Sequence, residues 1–164
     1  MPRRTKFKLA GFSTYVDNIK NTVSREAAEQ IVKDLKQLGP YWTGDFEEAW
    51  VVKAGSTSIS ANRRGVPTRP KEPYQRQITP VSVPPARGRG NVEYTIGNEM
   101  VYRNVAMDLE PGRIKVGGNE TTEQDWYRTY VEAGELRQTL EKATDRVAKN
   151  PKIRGFQGPK APPS

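Results

Sequence analysis

The sequence predicts an α+β domain, helical at both ends with short strands between, that carries extended basic arms rich in proline. Three observations lead there. Apolar residues fall at helical spacing from Ile19 to Leu38 and again from Leu136 to Val147, and the stretches between alternate apolar and polar residues at period two. The chain has 164 residues, a length that suits one domain with appendages. It divides into a basic N-terminal arm at 1–16, a single domain at 17–148 with a projecting loop or arm at 57–91, and a basic, Pro-rich tail at 149–164.

The first element rests on Ile19, Val23, Ala27, Ile31, Leu35 and Leu38, widened by Ala28 and Val32, with charged residues between them. Gly39-Pro40 ends that helix, because Gly suits the cap and Pro cannot continue the turn. Trp50-Val51-Val52-Lys53-Ala54 reads as the start of a strand. Residues 57–91 are too long for an ordinary connection and too rich in Pro for a sheet, so they read as the projecting arm. Asn91 to Ile96 alternates as a half-buried strand does, and Gly97-Asn98 reads as the turn after it. Met100 to Tyr102 and Val105 to Met107 stay apolar and suit a strand or a short helix, while Arg113 to Val116 reads as a short strand between Pro111-Gly112 and Gly117-Gly118. Thr121 with Gln124 resembles a capping box. The last helix carries Leu136, Leu140, Ala143 and Val147, with Trp126, Tyr130 and Ala133 extending the stripe backward across Gly134, a residue that weakens a continuous helix.

Charge is divided sharply. Residues 1–16, 57–91 and 149–164 carry +4, +6 and +4, so in a chain of net charge +8 the remainder carries −6. The same three segments hold 11 of the 13 prolines, which favours extended chain over helix or sheet. Basic arms on an acidic body have two natural partners: nucleic acid, or the acidic body of a neighbouring copy. The arm residues Arg63, Arg64, Arg69, Lys71, Arg76, Arg87 and Arg89 are therefore the candidate contacts with a partner.

The chain has no Cys and no His, which removes disulfides, thiol nucleophiles, Ser–His catalysis and the commonest transition-metal sites. Asp45, Glu47, Glu48, Asp108 and Glu110 are the carboxylates that a hydrolase or a magnesium site would draw on, but such clusters usually solvate a surface. Gly88-Arg89-Gly90 lacks the spacing of a phosphate-binding loop. Neither an enzyme nor a cofactor is expected. The basic N-terminus lacks the apolar stretch of a signal peptide, and no apolar run approaches membrane-spanning length, so no membrane partner is expected. Tyr41, Trp42, Phe46 and Trp50, like Trp126, Tyr127 and Tyr130, read as packing residues rather than a stacking platform for bases.

Leu38-Gly39-Pro40-Tyr41-Trp42-Thr43-Gly44-Asp45-Phe46-Glu47-Glu48-Ala49-Trp50 resembles a pattern of Pro, Thr-Gly, a large apolar residue and then Ala-Trp. That pattern, in which the last two positions are Ser or Ala and then Trp or Ile, follows the first helix in the tail-completion and neck proteins of long-tailed bacteriophages. Ile96-Gly97-Asn98-Glu99-Met100-Val101-Tyr102 resembles the family's strand, Asn turn and Pro-Tyr-Ala segment, with Val101 and Arg103 where the family has Pro and Ala. Its later Glu-x-Gly element matches Glu110-Pro111-Gly112, about three residues late, or Tyr130-Val131-Glu132-Ala133-Gly134. Gly134 to Leu140 resembles the start of its final helix. The matches touch about half of the chain, in the family's order.

The resemblance implies a curved antiparallel sheet packed on the long first helix. It gives Pro40, Thr43, Gly44, Phe46, Trp50, Asn98 and Tyr102 as the motif residues, with Thr43-Gly44 turning the chain, Phe46 packing on the helix and Trp50 opening the sheet. It implies a non-enzymatic virion component, made in the host cytoplasm, that forms a homo-oligomeric ring at the head–tail junction or the tail end. Its partners would be connector or adaptor proteins, tail-tube proteins and the DNA that passes through the channel. Neck adaptor, tail-completion and tail-terminator roles stay open. The alternative is a basic nucleic-acid-binding protein, which the net charge and Arg87-Gly88-Arg89-Gly90 support.

Overall fold

A computed structural model describes residues 9–40, 44–65, 78–85, 92–107 and 125–150. The fold is α+β. A 30-residue helix, α1 (Leu9–Leu38), is followed by a single turn, α2 (Asp45–Glu48), and by strands β1 (Trp50–Ala54) and β2 (Tyr94–Asn98). Three further helices, α3 (Arg103–Met107), α4 (Trp126–Glu132) and α5 (Glu135–Lys149), complete the described elements.

At 1.5 Å per residue, α1 is about 45 Å long and is the axis on which the rest is assembled. It begins at Leu9, ten residues before the stripe from Ile19, because Val16 continues the same spacing toward the N-terminus. Residues 9–16 of the expected N-terminal arm are thus helical, and 1–8 lie outside the described residues. The helix stops at Leu38, where the Gly39 N–H closes back on the Leu35 carbonyl at 3.0 Å.

The two strands pair antiparallel, Trp50 opposite Asn98 and Ala54 opposite Tyr94. Gly97-Asn98, expected as a turn, instead ends β2. Ile59 lies across Gly97 so closely that a Cβ there would stand 2.9 Å from the Ile59 Cδ1, so a larger residue would push the Ile59 side chain aside. Arg113 to Val116 and the Thr121/Gln124 box lie outside the described residues.

The core gathers Ala28, Val32 and Leu35 of α1 with Phe46, Trp50, Val52, Met100, Ala106, Trp126 and Tyr130. Phe46 stands edge-on to Trp50 at 5.9 Å and to Trp126 at 6.4 Å, an arrangement that suits the quadrupoles of the rings. Val83, from the segment expected to project, is buried in the same core at 4% exposure. The described parts of 57–91 therefore lie along the body rather than away from it. Proline forbids their joining the sheet ladder, but alternation at Val81 and Val83 still gives an extended chain one apolar side.

Gly134, with φ near +94°, breaks the C-terminal stripe into α4 and α5. Along α5 the buried positions are Thr139, Ala143 and Val147, with Leu136 partly buried, while Leu140 is 43% exposed. The expected stripe is corrected at that one position: the side facing α1 runs through Thr139, whose hydroxyl has a partner there. Thr139 Oγ1 donates to Asp34 Oδ2 at 2.7 Å and Arg146 reaches Glu26 and Gln30 on α1, so α5 runs antiparallel to it.

Candidate subunit interface

The motif residues meet where α1 ends and the sheet begins. Pro40 follows the end of α1, and Gly44 turns the chain into α2 with φ near +86°, a conformation that costs other residues about 1–2 kcal/mol. Asn98 is fully buried, and each half of its amide is bonded to main chain. Its Nδ2 donates to the Phe46 carbonyl at 2.8 Å, and its Oδ1 accepts from the Met100 N–H at 2.9 Å. Arg103 Nη1 donates to both the Asn98 and Ile59 carbonyls at 2.8 Å. One amide and one guanidinium thus tie together α2, the end of β2, the segment after β1 and the start of α3.

Trp50 is buried, and its indole N–H has no hydrogen-bond partner among the described residues. Tyr102 lies at the rim, with its ring stacked on Phe46 at 6.2 Å and 40% of its surface exposed. Partial burial, helped by the Asp45 carboxylate and opposed by Arg63, holds its phenol above the ordinary pKa.

Two of the arm arginines come to this same place. Arg63 exchanges main-chain hydrogen bonds with Glu99 and Val101, making a parallel bridge to Met100, and its guanidinium pairs with Glu48 at 3.2 Å. Arg64 is exposed. At Gly65 a Cβ would stand 3.4 Å from the Tyr102 ring and 3.3 Å from Asp45 Oδ2. The chain therefore enters 66–77 beside Tyr102. It leaves that stretch at a second fixed point, where Lys36 Nζ donates to the Thr79 carbonyl and hydroxyl at 3.0 and 3.2 Å. Lys36 is 3% exposed, and burial lowers its pKa against the pull of Glu47 and Glu48. Further along, Tyr94 OH donates to the Pro84 carbonyl at 3.0 Å and holds the chain just before 86–91. Arg69, Lys71, Arg76, Arg87, Arg89 and Thr43 lie outside the described residues.

Sequence reasoning missed Lys36, Arg103 and the polar seam of Asp34, Tyr130 and Thr139. The signal for Lys36 was available, since position 36 stands on the buried side of α1 one turn beyond Val32, where a lysine needs a partner. The Arg103 contact joins residues 44 apart and had no local signal. Of the carboxylates weighed as chemical groups, Glu48 is paired with Arg63, Glu47 is buried and Asp108 lies outside the described residues. Among the described residues no three Asp or Glu side chains gather as a metal ion would require, and no helix is long and apolar enough to cross a membrane.

Comparison with family models, with curated proteins and with solved structures finds no match. What the chain presents for recognition is thus its own geometry: an aromatic and basic rim, built on a buried hydrogen-bonded junction.

Proposed function

We propose that this chain is a non-enzymatic structural component of a bacteriophage virion, a subunit of a ring at the head–tail junction or the tail end. The observation that supports the reading is the convergence at the Asn98 junction. Phe46, Trp50, Asn98 and Tyr102, motif residues drawn from stretches about fifty residues apart, share one contact network, with Gly44 at the entry to α2, on an α+β body. The arm fits the same role. Its described feet, at Arg63 to Gly65 and Thr79 to Val83, are bonded or packed to the body. Neutralising Arg69, Lys71 and Arg76 to Gln leaves the body folded, by circular dichroism, and lowers incorporation into particles. Undiminished incorporation would remove the arm from assembly. Salt-dependent binding to DNA that the same variant loses, in a protein absent from particles, would favour the nucleic-acid reading instead.

A further inference from the structure

The row of α1 side chains that α5 covers continues past the point where α5 stops. Asp34, Gln30 and Ala27 are spaced four and three residues apart on one side of α1, and contacts fix which side it is. Thr139 donates to Asp34 at 2.7 Å, Arg146 donates to Gln30 at 3.1 Å, and Ala27 is buried in the same row. At the same spacing toward the N-terminus the row runs through Val23, Ile19 and Val16, all partly buried. Because α5 is antiparallel to α1 and Arg146 lies beside Glu26 and Gln30, Asn150 stands about level with Val23. Ile19 and Val16 lie about 6 and 10 Å beyond it, an apolar extension of the row that α5 is too short to reach.

The chain that leaves α5 has the direction, the reach and the pattern to cover this extension. Asn150 is extended, with φ near −71° and ψ near 116°, and so does not take the left-handed turn that would send the chain back over α5. Pro151 forbids a further helical turn and favours the polyproline conformation, in which residues three apart share an edge and each adds about 3.1 Å. On that spacing Ile153 falls about 9 Å past Asn150, level with Val16. Phe156 falls about 19 Å past it, still within the length of α1, which begins at Leu9 about 21 Å from Val23. Ile153 and Phe156 share one edge, and Lys152 and Arg154 fall on the other two, which keeps their charges off the apolar row.

We propose that residues 151–156 dock along the Val23, Ile19 and Val16 row of their own subunit's α1, anchored by Ile153 and Phe156. The basic tail is then divided: 151–156 belong to the body, and the segment from Gln157 onward is what a partner can take. The inference concerns one subunit and does not depend on the ring reading.

With no native cysteine, a disulfide reports only introduced residues. Val16→Cys with Ile153→Cys gives, on mild oxidation, a monomer of raised mobility in non-reducing electrophoresis. Asn18→Cys, at an exposed position on the opposite side of the helix, gives about tenfold less of that product with the same partner. Equal yields from the two pairs would show a tail with no preferred face and would overturn the proposal. Cross-linked dimers in place of monomers would overturn it too, by putting the tail on a neighbouring copy. Ile153→Asp with Phe156→Asp gives a readout without cysteine: amide hydrogen exchange from Val16 to Val23 quickens about tenfold, whereas exchange from Ala27 to Leu35 is unchanged. The native exchange rate from Val16 to Val23 in that variant would contradict the docking. Circular dichroism verifies that each variant keeps the fold.

Discussion

At the Asn98 junction one buried amide is bonded only to main chain, whereas in the seam between α1 and the two C-terminal helices side chains meet side chains around the half-buried Asp34. Asn98 is fully buried, and its partners are a carbonyl of α2 and an N–H just beyond β2. Neither can rotate away or reach water. In the seam, Asp34 accepts from Thr139 at 2.7 Å, from Tyr130 at 3.2 Å and from Gln30 at 2.8 Å, and Arg146 bonds to Gln30 at the exposed edge. Loss of one partner there leaves others, or water, in reach. The junction fixes how three chain segments cross; the seam orients a helix that apolar packing already holds.

The strongest way to break the comparison is Phe46→Ala. It removes the ring shared by Trp50, Trp126 and Tyr102 at the junction and should cost about 3–5 kcal/mol, read as a fall in the urea midpoint. Asn98→Ala leaves the Phe46 carbonyl and the Met100 N–H buried without partners, for a loss of about 2–4 kcal/mol. Thr139→Val, in the seam, should cost only about 1 kcal/mol, because Asp34 keeps Tyr130 and Gln30. Equal losses for Asn98→Ala and Thr139→Val would erase the distinction. Least of all, Glu48→Gln, which breaks the exposed pair with Arg63, should change stability by less than about 0.5 kcal/mol.

The seam also has a pH signature. Burial, opposed by the Thr139 hydroxyl and aided by Asp34, raises the Tyr130 phenol far above its ordinary value of 10.0. The folded protein therefore keeps a proton that the unfolded chain gives up, and stability falls as pH rises past about 10. Lys36 acts with the opposite sign. Its lowered pKa means that the unfolded chain binds more protons below 10.5, so its contribution improves as pH rises toward that value. Urea midpoints from about pH 9 to about 11 should decline less steeply in Tyr130→Phe than in the native chain. An equal decline would show that the phenol ionises as freely in the folded state as in the unfolded one.

Much of this architecture was legible in the residues. The end of α1 at Leu38, the start of β1 at Trp50 and the break at Gly134 follow from local signals, respectively a Gly-Pro stop, a β-rich run and a glycine inside a helical stripe. Gly97-Asn98 misled because its local preference is for turns, and the tertiary contacts of Ile59 and of the Asn98 amide override it. The course of 57–65 and 78–85 was hidden for a related reason. Proline content describes what a segment cannot join, not what it can lie against, and Lys36 and Tyr94 hold this one from positions distant in sequence. Leu140 and Thr139 exchanged places because one hydrogen bond to Asp34 decided which side of α5 faced inward. Of the candidate interface, Arg63 and the described motif residues were visible separately, but not the junction that brings them together.

The most direct test of the central claim is electron microscopy of purified phage particles labelled with an antibody against this chain. A virion ring subunit predicts label concentrated at the head–tail junction or at one end of the tail. Intact particles without label, with an antibody shown to bind the native chain, would contradict it.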